Sequence, residues 1–292
     1  MMSLLYAPPS SGKTLVALAA FPDAVVLTPK REAVVGPAKL YGLDIPDDRV
    51  IVVRSMKDLK KAMRETKDLG VPTIIDDLTD ILESEVTDIS KTYTETFDIY
   101  GELKTRVIPF FQAVAKNAAH PVVITCWERE ARIEKDLEGT KHIVEGGPAL
   151  PGRSARDIIP GLCTHVLRVE GEEPATSSWP FVLRCRSTTL WRAKCRTPAD
   201  VPEVLPLALS ELYRTAGYDC APMFDEQAEC REQAKALLAK DDRAGLARLF
   251  AEHKSQGTNL HCVAYAVKEA QVSLALEAHT ANLDNSLVDS FF

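Results

Sequence analysis

The stretch Ser3-Leu4-Leu5-Tyr6-Ala7-Pro8-Pro9-Ser10-Ser11-Gly12-Lys13-Thr14 decides the fold, because it joins a short apolar run to a helix-type run over residues 15–20. A strand, a turn that ends in Gly-Lys-Thr and a following helix form the context in which a loop cradles phosphate groups. Backbone N–H groups and the helix N-terminus bind the anion there. The stretch therefore predicts a phosphate-binding loop whose nucleotide-binding residues are Pro9, Ser10, Ser11, Gly12, Lys13 and Thr14.

Three residues of this loop have separate chemical tasks. Gly12 lets the backbone approach the phosphates, Lys13 neutralises their oxygens as a catalytic cation, and the Thr14 hydroxyl is a ligand for Mg²⁺. Ala7 stands where the phosphate-loop pattern has its first glycine. We expect alanine to be tolerated, because the contacts to phosphate come from the Gly-Lys-Thr half. The alternative interpretation is a chance tripeptide on an ordinary turn.

Further short apolar runs follow along the chain, at residues 24–28, 50–54, 72–76 and 121–126. Helix-type stretches separate the first of them, which is typical of a parallel sheet covered on both faces. The later runs at 164–169, 179–184 and 189–194 leave no room for helices and predict antiparallel hairpins. The predicted fold class is therefore α/β, with a mostly parallel sheet, antiparallel hairpins and a helical C-terminal region.

The C-terminal part of the sequence is helix-type, in runs over residues 225–239, 241–255 and 259–279. We divide the chain into a core over residues 1–216 and a helical region over residues 217–292. Residues 282–292 combine aspartates with two phenylalanines. This tail is interpreted either as a docking segment for a partner protein or neighbouring subunit, or as rings that pack on the protein's own helices.

Composition excludes several classes of protein. The 292-residue chain has 35 basic and 42 acidic residues and a net charge of −7, which excludes nucleic-acid binding through bulk positive charge. Its seven cysteines form no C-x-x-C pair, which predicts reduced thiols. The sequence has no apolar run long enough for a membrane helix and no basic region before the first apolar run. We therefore expect a cytoplasmic protein without membrane contact.

Polar residues at strand ends extend the predicted site. Asp76 ends an apolar run that we place beside the strand of the phosphate loop, where its carboxylate would hold the water shell of Mg²⁺. Asp77 is expected to cap the next helix. Thr125, with Glu128 as the second choice, is a candidate for sensing the terminal phosphate or orienting the attacking water. Glu32 is the candidate catalytic base, and an exposed surface charge is an equally open interpretation.

Several further motifs follow the phosphate loop in a fixed order. They are IIDDLT at 74–79, YGELK at 100–104, VITCWERE at 123–130, GGPALPG at 146–152 and WRAKCR at 191–196. This ordered set resembles the phage-type nucleotide-binding proteins with a RecA-like ATPase core, which include the phage single-strand-annealing recombinases. The resemblance spans roughly residues 3–200 and stops before the helical region.

The resemblance implies a RecA-like fold, ATP and Mg²⁺ as cofactors, and a homo-oligomer, either ring or filament, assembled on single-stranded DNA. Lys194 and Arg196 resemble the element that reaches the γ-phosphate of a neighbouring subunit, and residues 146–152 would contact DNA. The expected function is slow ATP hydrolysis coupled to annealing or recombination. The alternatives are a replicative helicase or helicase loader, and a nucleotide-gated adaptor without catalysis.

Basic residues gather around an aromatic side chain in the segment that would contact DNA. Cations beside an aromatic platform suit single strands, where phosphates pair with the cations and bases stack on the ring. Acidic residues interrupt the set, so a mixed-charge surface hairpin is the alternative. The candidate DNA-binding residues, which surround Trp127, are Arg129, Arg132, Lys141, Arg153 and Arg156.

Overall fold

The computed structural model describes residues 1–135, 141–171, 181–197 and 201–291, and of residues 281–291 it describes only the backbone. The strands are β1 Met2–Ala7, β2 Val25–Thr28, β3 Val50–Val52, β4 Thr73–Ile75, β5 Val122–Arg129, β6 Arg132–Lys135, β7 Lys141–Val144, β8 Gly147–Pro148, β9 His165–Gly171, β10 Phe181–Arg184, β11 Lys194–Cys195 and β12 Val204–Pro206. The helices are α1 Lys13–Ala20, α2 Arg31–Leu40, α3 Met56–Glu65, α4 Leu78–Ile89, α5 Thr96–Asn117, α6 Arg153–Leu162, α7 Leu209–Thr215, α8 Gln227–Leu238, α9 Arg243–Ser255 and α10 Leu260–Phe291.

One large sheet organises the molecule, with strands in the order β12-β10-β9-β1-β5-β4-β2-β3. The six strands from β9 to β3 pair in parallel, and β10 and β12 extend the sheet antiparallel beyond β9. β11 pairs antiparallel with the start of β9, β8 with the end of β5, and β6 with β7. The predicted α/β class, with a mostly parallel sheet and antiparallel hairpins, is confirmed.

The order of the strands corrects one expectation. β5 lies between β1 and β4 and pairs with both, so the strand that ends before Asp76 is not beside the strand of the phosphate loop. In the register, Thr125 of β5 is opposite Leu5 of β1. The pattern of a strand predicts that the strand exists, whereas its neighbours depend on how the crossovers run. The central position therefore belongs to β5 and brings Thr125 between the loop and Asp76.

Helices cover both faces of the sheet, which explains why the parallel strands are apolar on both sides. One face packs against α1, α2, α7 and α10, and the other against α3, α4, α5 and α6. Successive residues of β1 alternate between the two faces, because Leu5 belongs to the first core and Leu4 and Tyr6 to the second. Both layers hold β1 in place, so the loop that follows it starts from a rigid strand.

The C-terminal helices form a third, smaller core, in which Cys230, Leu249 and Val263 come from α8, α9 and α10. α10 also reaches the first core of the sheet through Tyr265 and Val272. The division of the chain at residue 217 stays a prediction. The tail predicted over residues 282–292 lies outside the side chains that the structure describes. Within the described ranges, no helix combines the length and the apolarity needed to cross a bilayer.

Candidate functional site

The predicted phosphate loop follows β1 and leads directly into α1. Two of its residues have a positive φ, Ser10 at 62° and Gly12 at 80°. A Cβ atom on Gly12 would also lie 2.8 Å from the ring of Phe181 on β10. Backbone conformation and lack of space both require glycine at this position. The two left-handed residues make the loop turn tightly, a backbone shape that is typical of loops whose N–H groups bind an anion.

The Lys13 side chain folds back over the loop. It is 8% exposed, and its Nζ donates to the carbonyl oxygens of Ala7 at 3.2 Å and Pro8 at 3.0 Å. Both acceptors are main-chain oxygens, so these hydrogen bonds hold the ammonium group without neutralising its charge. A buried cation in this position favours an anionic ligand.

Three polar side chains meet beside Lys13. The hydroxyls of Thr14 and Thr125 both donate to Oδ1 of Asp76, at 2.7 Å and 2.6 Å respectively. Thr14 belongs to the first turn of α1, Asp76 follows β4, and Thr125 lies within β5. The structure thus brings together the two predicted metal-site residues and the predicted phosphate sensor. The strand order places the three in one cluster.

The Asp76 carboxyl is deeply buried, and this burial raises its pKa above the ordinary value, against the lowering effect of the two threonine hydroxyls. A nearby cation would offset the cost of keeping the carboxylate ionised. Carboxylate and hydroxyl oxygens are the hard donors that Mg²⁺ prefers, and Mg²⁺ usually keeps waters and substrate phosphate oxygens as its other ligands. Across the described ranges, no group of three or more His, Cys, Asp or Glu is arranged to hold a metal ion. The site therefore fits a magnesium ion that arrives with a nucleotide.

A pocket of about 460 Å³ opens over this cluster. Its walls come from the phosphate loop, the end of β2, the start of α2, the segment after β4 and Trp127 of β5. Among the side chains that line it are Asp77, Asp80 and Lys30, and Lys30 Nζ lies 3.0 Å from Asp80 Oδ2. This volume lies within the range of ordinary small-molecule sites.

Asp77 is the predicted helix cap, since its Oδ1 accepts a 2.7 Å hydrogen bond from the N–H of Thr79 at the start of α4. It also lines the pocket. Burial, followed by the neighbouring charge of Asp76, raises the pKa of Asp77 to about 7. A carboxyl group with this pKa exchanges its proton near neutral pH, which is one requirement of a general base.

The other two candidate carboxylates lie elsewhere. Glu32 is exposed in the first turn of α2, and it is not among the residues that line the pocket. Glu128 is buried and forms an ion pair with Arg168 of β9, with Oε2 at 2.5 Å from Nε. The Arg168 guanidinium in turn stacks on the ring of Trp191 at 3.6 Å from the centroid. Glu128 thus has a structural partner, and the position of Glu32 favours the interpretation as a surface charge.

The predicted subunit-bridging pair lies far from the phosphate loop of its own chain. β11 pairs with His165 and Val166 at the start of β9, whereas the loop follows the opposite end of the neighbouring parallel strand β1. Lys194 Nζ donates to the carbonyl oxygen of Gly161 at 3.1 Å, and Arg196 is exposed. Lys194 is level with Leu4 in this register, so the pair lies about 10 Å short of the end of β1 along the strand direction and two strands away from it.

A short hydrogen-bonded chain ties the pocket to the glycine- and proline-rich segment. The Thr79 hydroxyl donates to the carbonyl oxygen of Ala149 and accepts from the N–H of Trp127, both at 2.9 Å. The N–H of Ala149 donates to the carbonyl oxygen of Trp127 at 2.8 Å. β8 is thus anchored to the same strand end that lines the pocket.

Three arginines gather beyond this anchor: the predicted Arg129 and Arg156, and Arg192, which sequence reasoning did not single out. The pKa of Arg129 is lowered by burial and by the charges of Arg156, Arg132 and Arg192. The Nε atoms of Arg129 and Arg156 are buried and have no hydrogen-bond partner. Arg192 Nε lies 3.4 Å from Glu145 Oε2, and Arg192 Nη1 lies 3.6 Å from Asp157 Oδ1. These two carboxylates offset part of the positive charge. We name Arg129, Arg156 and Arg192 the arginine cluster.

The remaining predicted DNA-binding residues stay on the surface around this cluster. Arg153 is 93% exposed and lies 3.6 Å from Asp157. Arg132 forms an ion pair with Glu134, and Lys141 is exposed on β7. The structure therefore gathers two of the five predicted residues, while the other three point outward.

Sequence reasoning assigned no catalytic or ligand-binding role to Lys30, Asp77 and Asp80, and it considered Trp127 only as a platform for DNA bases, although all four line the pocket. The position of Asp77 directly after Asp76, at the end of a buried strand, was the available signal for one of them. No family model matches the chain, and no curated protein matches it.

Proposed function

We propose that this protein is a magnesium-dependent P-loop ATPase with a RecA-like core, which assembles with copies of itself on single-stranded DNA and promotes annealing or recombination. The observation that carries the proposal is the cluster of Thr14, Asp76 and Thr125 beside Lys13. A phosphate loop alone binds many anions. The loop together with a buried hard-oxygen site, placed within the same pocket, favours a nucleoside triphosphate bound with Mg²⁺.

Each residue of the pocket is assigned its own contact with the nucleotide or its metal ion. Lys13 and the loop N–H groups bind the phosphate oxygens, the Thr14 hydroxyl is a direct metal ligand, and Asp76 orients the metal-bound water. When bound, Mg²⁺ supplies positive charge that screens the phosphates. Thr125 is fully buried and donates a hydrogen bond to Asp76, and we propose that it senses the terminal phosphate through this bond. The adenine base is proposed from the family resemblance.

Catalysis needs a base, and we assign that task to Asp77 in place of Glu32. Asp77→Asn keeps the cap on α4 and should reduce ATP hydrolysis by about 10²-fold or more, because an amide cannot accept the proton of the attacking water. Glu32→Gln, the matched control, should leave the rate within about twofold. The measurement is the steady-state release of phosphate at saturating ATP. Equal rates for Asp77→Asn and wild type would contradict the assignment.

The cations in the pocket support slow, assembly-dependent turnover. Among the lining residues Lys13 and Lys30 are the basic ones, and Lys30 pairs with Asp80. A further cationic side chain that stabilises the negative charge of the transition state would then come from a neighbouring subunit. Lys194 and Arg196, distant from their own pocket, are proposed to supply it to a neighbour. Nucleotide binding and assembly would then depend on each other.

The arginine cluster supports the DNA-binding part of the proposal. Its arginines are partly exposed and suit phosphate oxygens, and Trp127, which is 41% exposed, offers an aromatic face nearby. The link through Thr79 and Ala149 connects this region to the nucleotide pocket. We propose that bound nucleotide changes the affinity for single strands through this connection.

Replacing both Arg129 and Arg156 with alanine should weaken binding to single-stranded DNA and lessen its salt dependence. Each lost phosphate contact lowers the slope of log K against log salt by about 0.7, so the double variant should lose about 1.4. A fluorescence anisotropy titration of oligo-dT at several salt concentrations measures both quantities. Arg243→Ala, which removes an exposed arginine on α9, is the control. An unchanged slope would place the DNA elsewhere.

The decisive experiment compares ATP hydrolysis with and without single-stranded DNA, in wild type and Lys13→Ala, together with strand annealing and unwinding. DNA-stimulated turnover with annealing and without unwinding supports the proposal. Stimulated turnover with directional unwinding supports a helicase or helicase loader instead. Nucleotide binding without turnover supports a nucleotide-gated adaptor. If wild type and Lys13→Ala show the same affinity for magnesium-ATP, the nucleotide site itself is wrong.

A further inference from the structure

A second cavity, of about 410 Å³, lies at the N-terminal ends of the parallel strands, whereas the phosphate loop follows the C-terminal end of β1. It opens between α3 and α5, and its lining includes Thr73 and Val122, the first residues of β4 and β5. The nucleotide pocket follows the other ends of the same parallel strands. This cavity is therefore separate from the nucleotide pocket, although its volume is similar.

The chemistry of the cavity is an apolar floor inside a basic rim. The floor includes Met63, Phe110 and Val114, and the basic side chains that line the cavity are Lys60, Arg64, Lys67 and His120. No aspartate or glutamate is among the lining residues, in a chain whose net charge is −7. Such a surface suits a segment that presents large apolar side chains together with carboxylates.

The sequence of this chain contains a segment of that chemistry. Residues 281–292 hold two aspartates and no lysine or arginine. Leu283, Leu287 and Phe291 follow each other at intervals of four, and the backbone of α10 is helical to Phe291. Side chains at i, i+4 and i+8 form one stripe, the pattern by which a helix anchors in an apolar groove.

We propose that residues 283–292 of one copy dock in the α3–α5 cavity of a second copy. Leu287 and Phe291 enter the apolar floor, while Asp284, which flanks this stripe on the helix, faces Arg64 and Lys67. The proposal does not depend on the nucleotide site. It names the contact by which copies of this chain join.

The docking takes place between copies because the fold separates the two partners within one chain. α10 packs on β12, α7, α8 and α9, and its buried residues belong to the core on the α1–α2 face and to the core of the C-terminal helices. The cavity lies on the opposite face of the sheet. From Leu276 to Phe291 the helix continues for about 22 Å without a break. Because the segment and the cavity are different surfaces, the contact is head-to-tail and produces a ring or a filament.

The test measures the mass of the full-length protein by sedimentation velocity over a range of concentrations. Ala113, an exposed residue of α5 that lines the cavity, is changed to Trp to fill it, and the double variant Leu287→Ala, Phe291→Ala removes the anchors. Each change should weaken self-association at least tenfold. Lys57→Glu, an exposed position of α3 outside the cavity, is the control and should leave the mass distribution unchanged. The affinity of each variant for magnesium-ATP is measured in parallel, so loss of the nucleotide site is recognised separately.

Two further arms test the direction and the charge of the contact. An equal mixture of the Ala113→Trp variant with the double anchor variant should form dimers and nothing larger, because only one cavity and one segment remain functional. Arg64→Glu with Lys67→Glu should weaken assembly, and adding Asp284→Lys should restore part of it. A wild type that stays monomeric, a mixture without dimers or a charge reversal without rescue overturns the proposal. The proposal is also overturned if the double anchor variant has the same mass distribution as wild type. That result is expected if the segment docks within its own chain.

Discussion

Replacing Asp76 with asparagine should reduce magnesium-dependent ATP hydrolysis by about 10²–10³-fold and leave the fold intact. The asparagine oxygen still accepts hydrogen bonds from Thr14 and Thr125. The amide carries no charge, however, so it cannot hold the metal-bound water in place. Hydrolysis should fall at every magnesium concentration, whereas the binding of ATP without metal should change little.

The Asp76→Asn variant should lose activity but keep or gain stability. Burial raises the pKa of Asp76 in the folded protein, so the unfolded chain releases this proton at lower pH. Ionisation of the wild-type carboxyl therefore costs stability as the pH rises above the ordinary value of 3.8. At pH 7.5 the variant avoids this cost, and its melting temperature without ligand should equal or exceed that of wild type.

Calorimetry and a magnesium titration of the ATPase rate test both parts. Asp88→Asn, an exposed position at the far end of α4, is the matched control for removal of one carboxylate outside the site. If Asp76→Asn lost activity together with several degrees of melting temperature, Asp76 would be a structural residue and its assignment to the metal site would fail.

Replacing Glu269 with alanine should destabilise the protein by about 3–5 kcal/mol, the cost of breaking a buried charge pair on one side. Glu269 is fully buried in α10. Its carboxylate accepts hydrogen bonds from Ser210 at 2.6 Å, Arg214 at 2.8 Å and Gln227 at 2.8 Å. These three donors belong to α7 and α8, so one side chain joins three helices.

The loss of stability arises because the donors that Glu269 accepted from stay buried without it. Without Glu269, the guanidinium of Arg214 keeps Glu211 as its remaining carboxylate, and the Ser210 hydroxyl and the Gln227 amide each lose an acceptor. Urea denaturation measures the change. Glu277→Ala is the control on the same helix, because Glu277 is 59% exposed in its pair with Lys235 and should matter by about 1 kcal/mol or less. A loss below about 1 kcal/mol for Glu269→Ala would show that the network does not hold α10.

Much of the fold and part of the site can be predicted from the order of residues. The strand before the phosphate loop, the acid after β4 and the cap formed by Asp77 all depend on neighbours within a few positions. The predicted strand over residues 189–194 is instead a two-residue strand, Lys194–Cys195. Short apolar runs near loops predict strands poorly, because the pairing partner decides whether they extend.

The local chemistry follows from the order of residues: the α/β alternation, the loop centred on Gly12 and Lys13, and the carboxylates that follow β4. These features come from short-range patterns of side chains, and such patterns survive in any arrangement of the strands. The tertiary structure alone decided that β5 runs between β1 and β4 and places Thr125 against Asp76. It also brought Arg192 close to Arg129 and Arg156 and placed Glu32 outside the pocket. A cavity with a basic rim lies at the N-terminal ends of the parallel strands. These relations join residues far apart in the chain, and they follow from how the crossover helices bury their apolar faces.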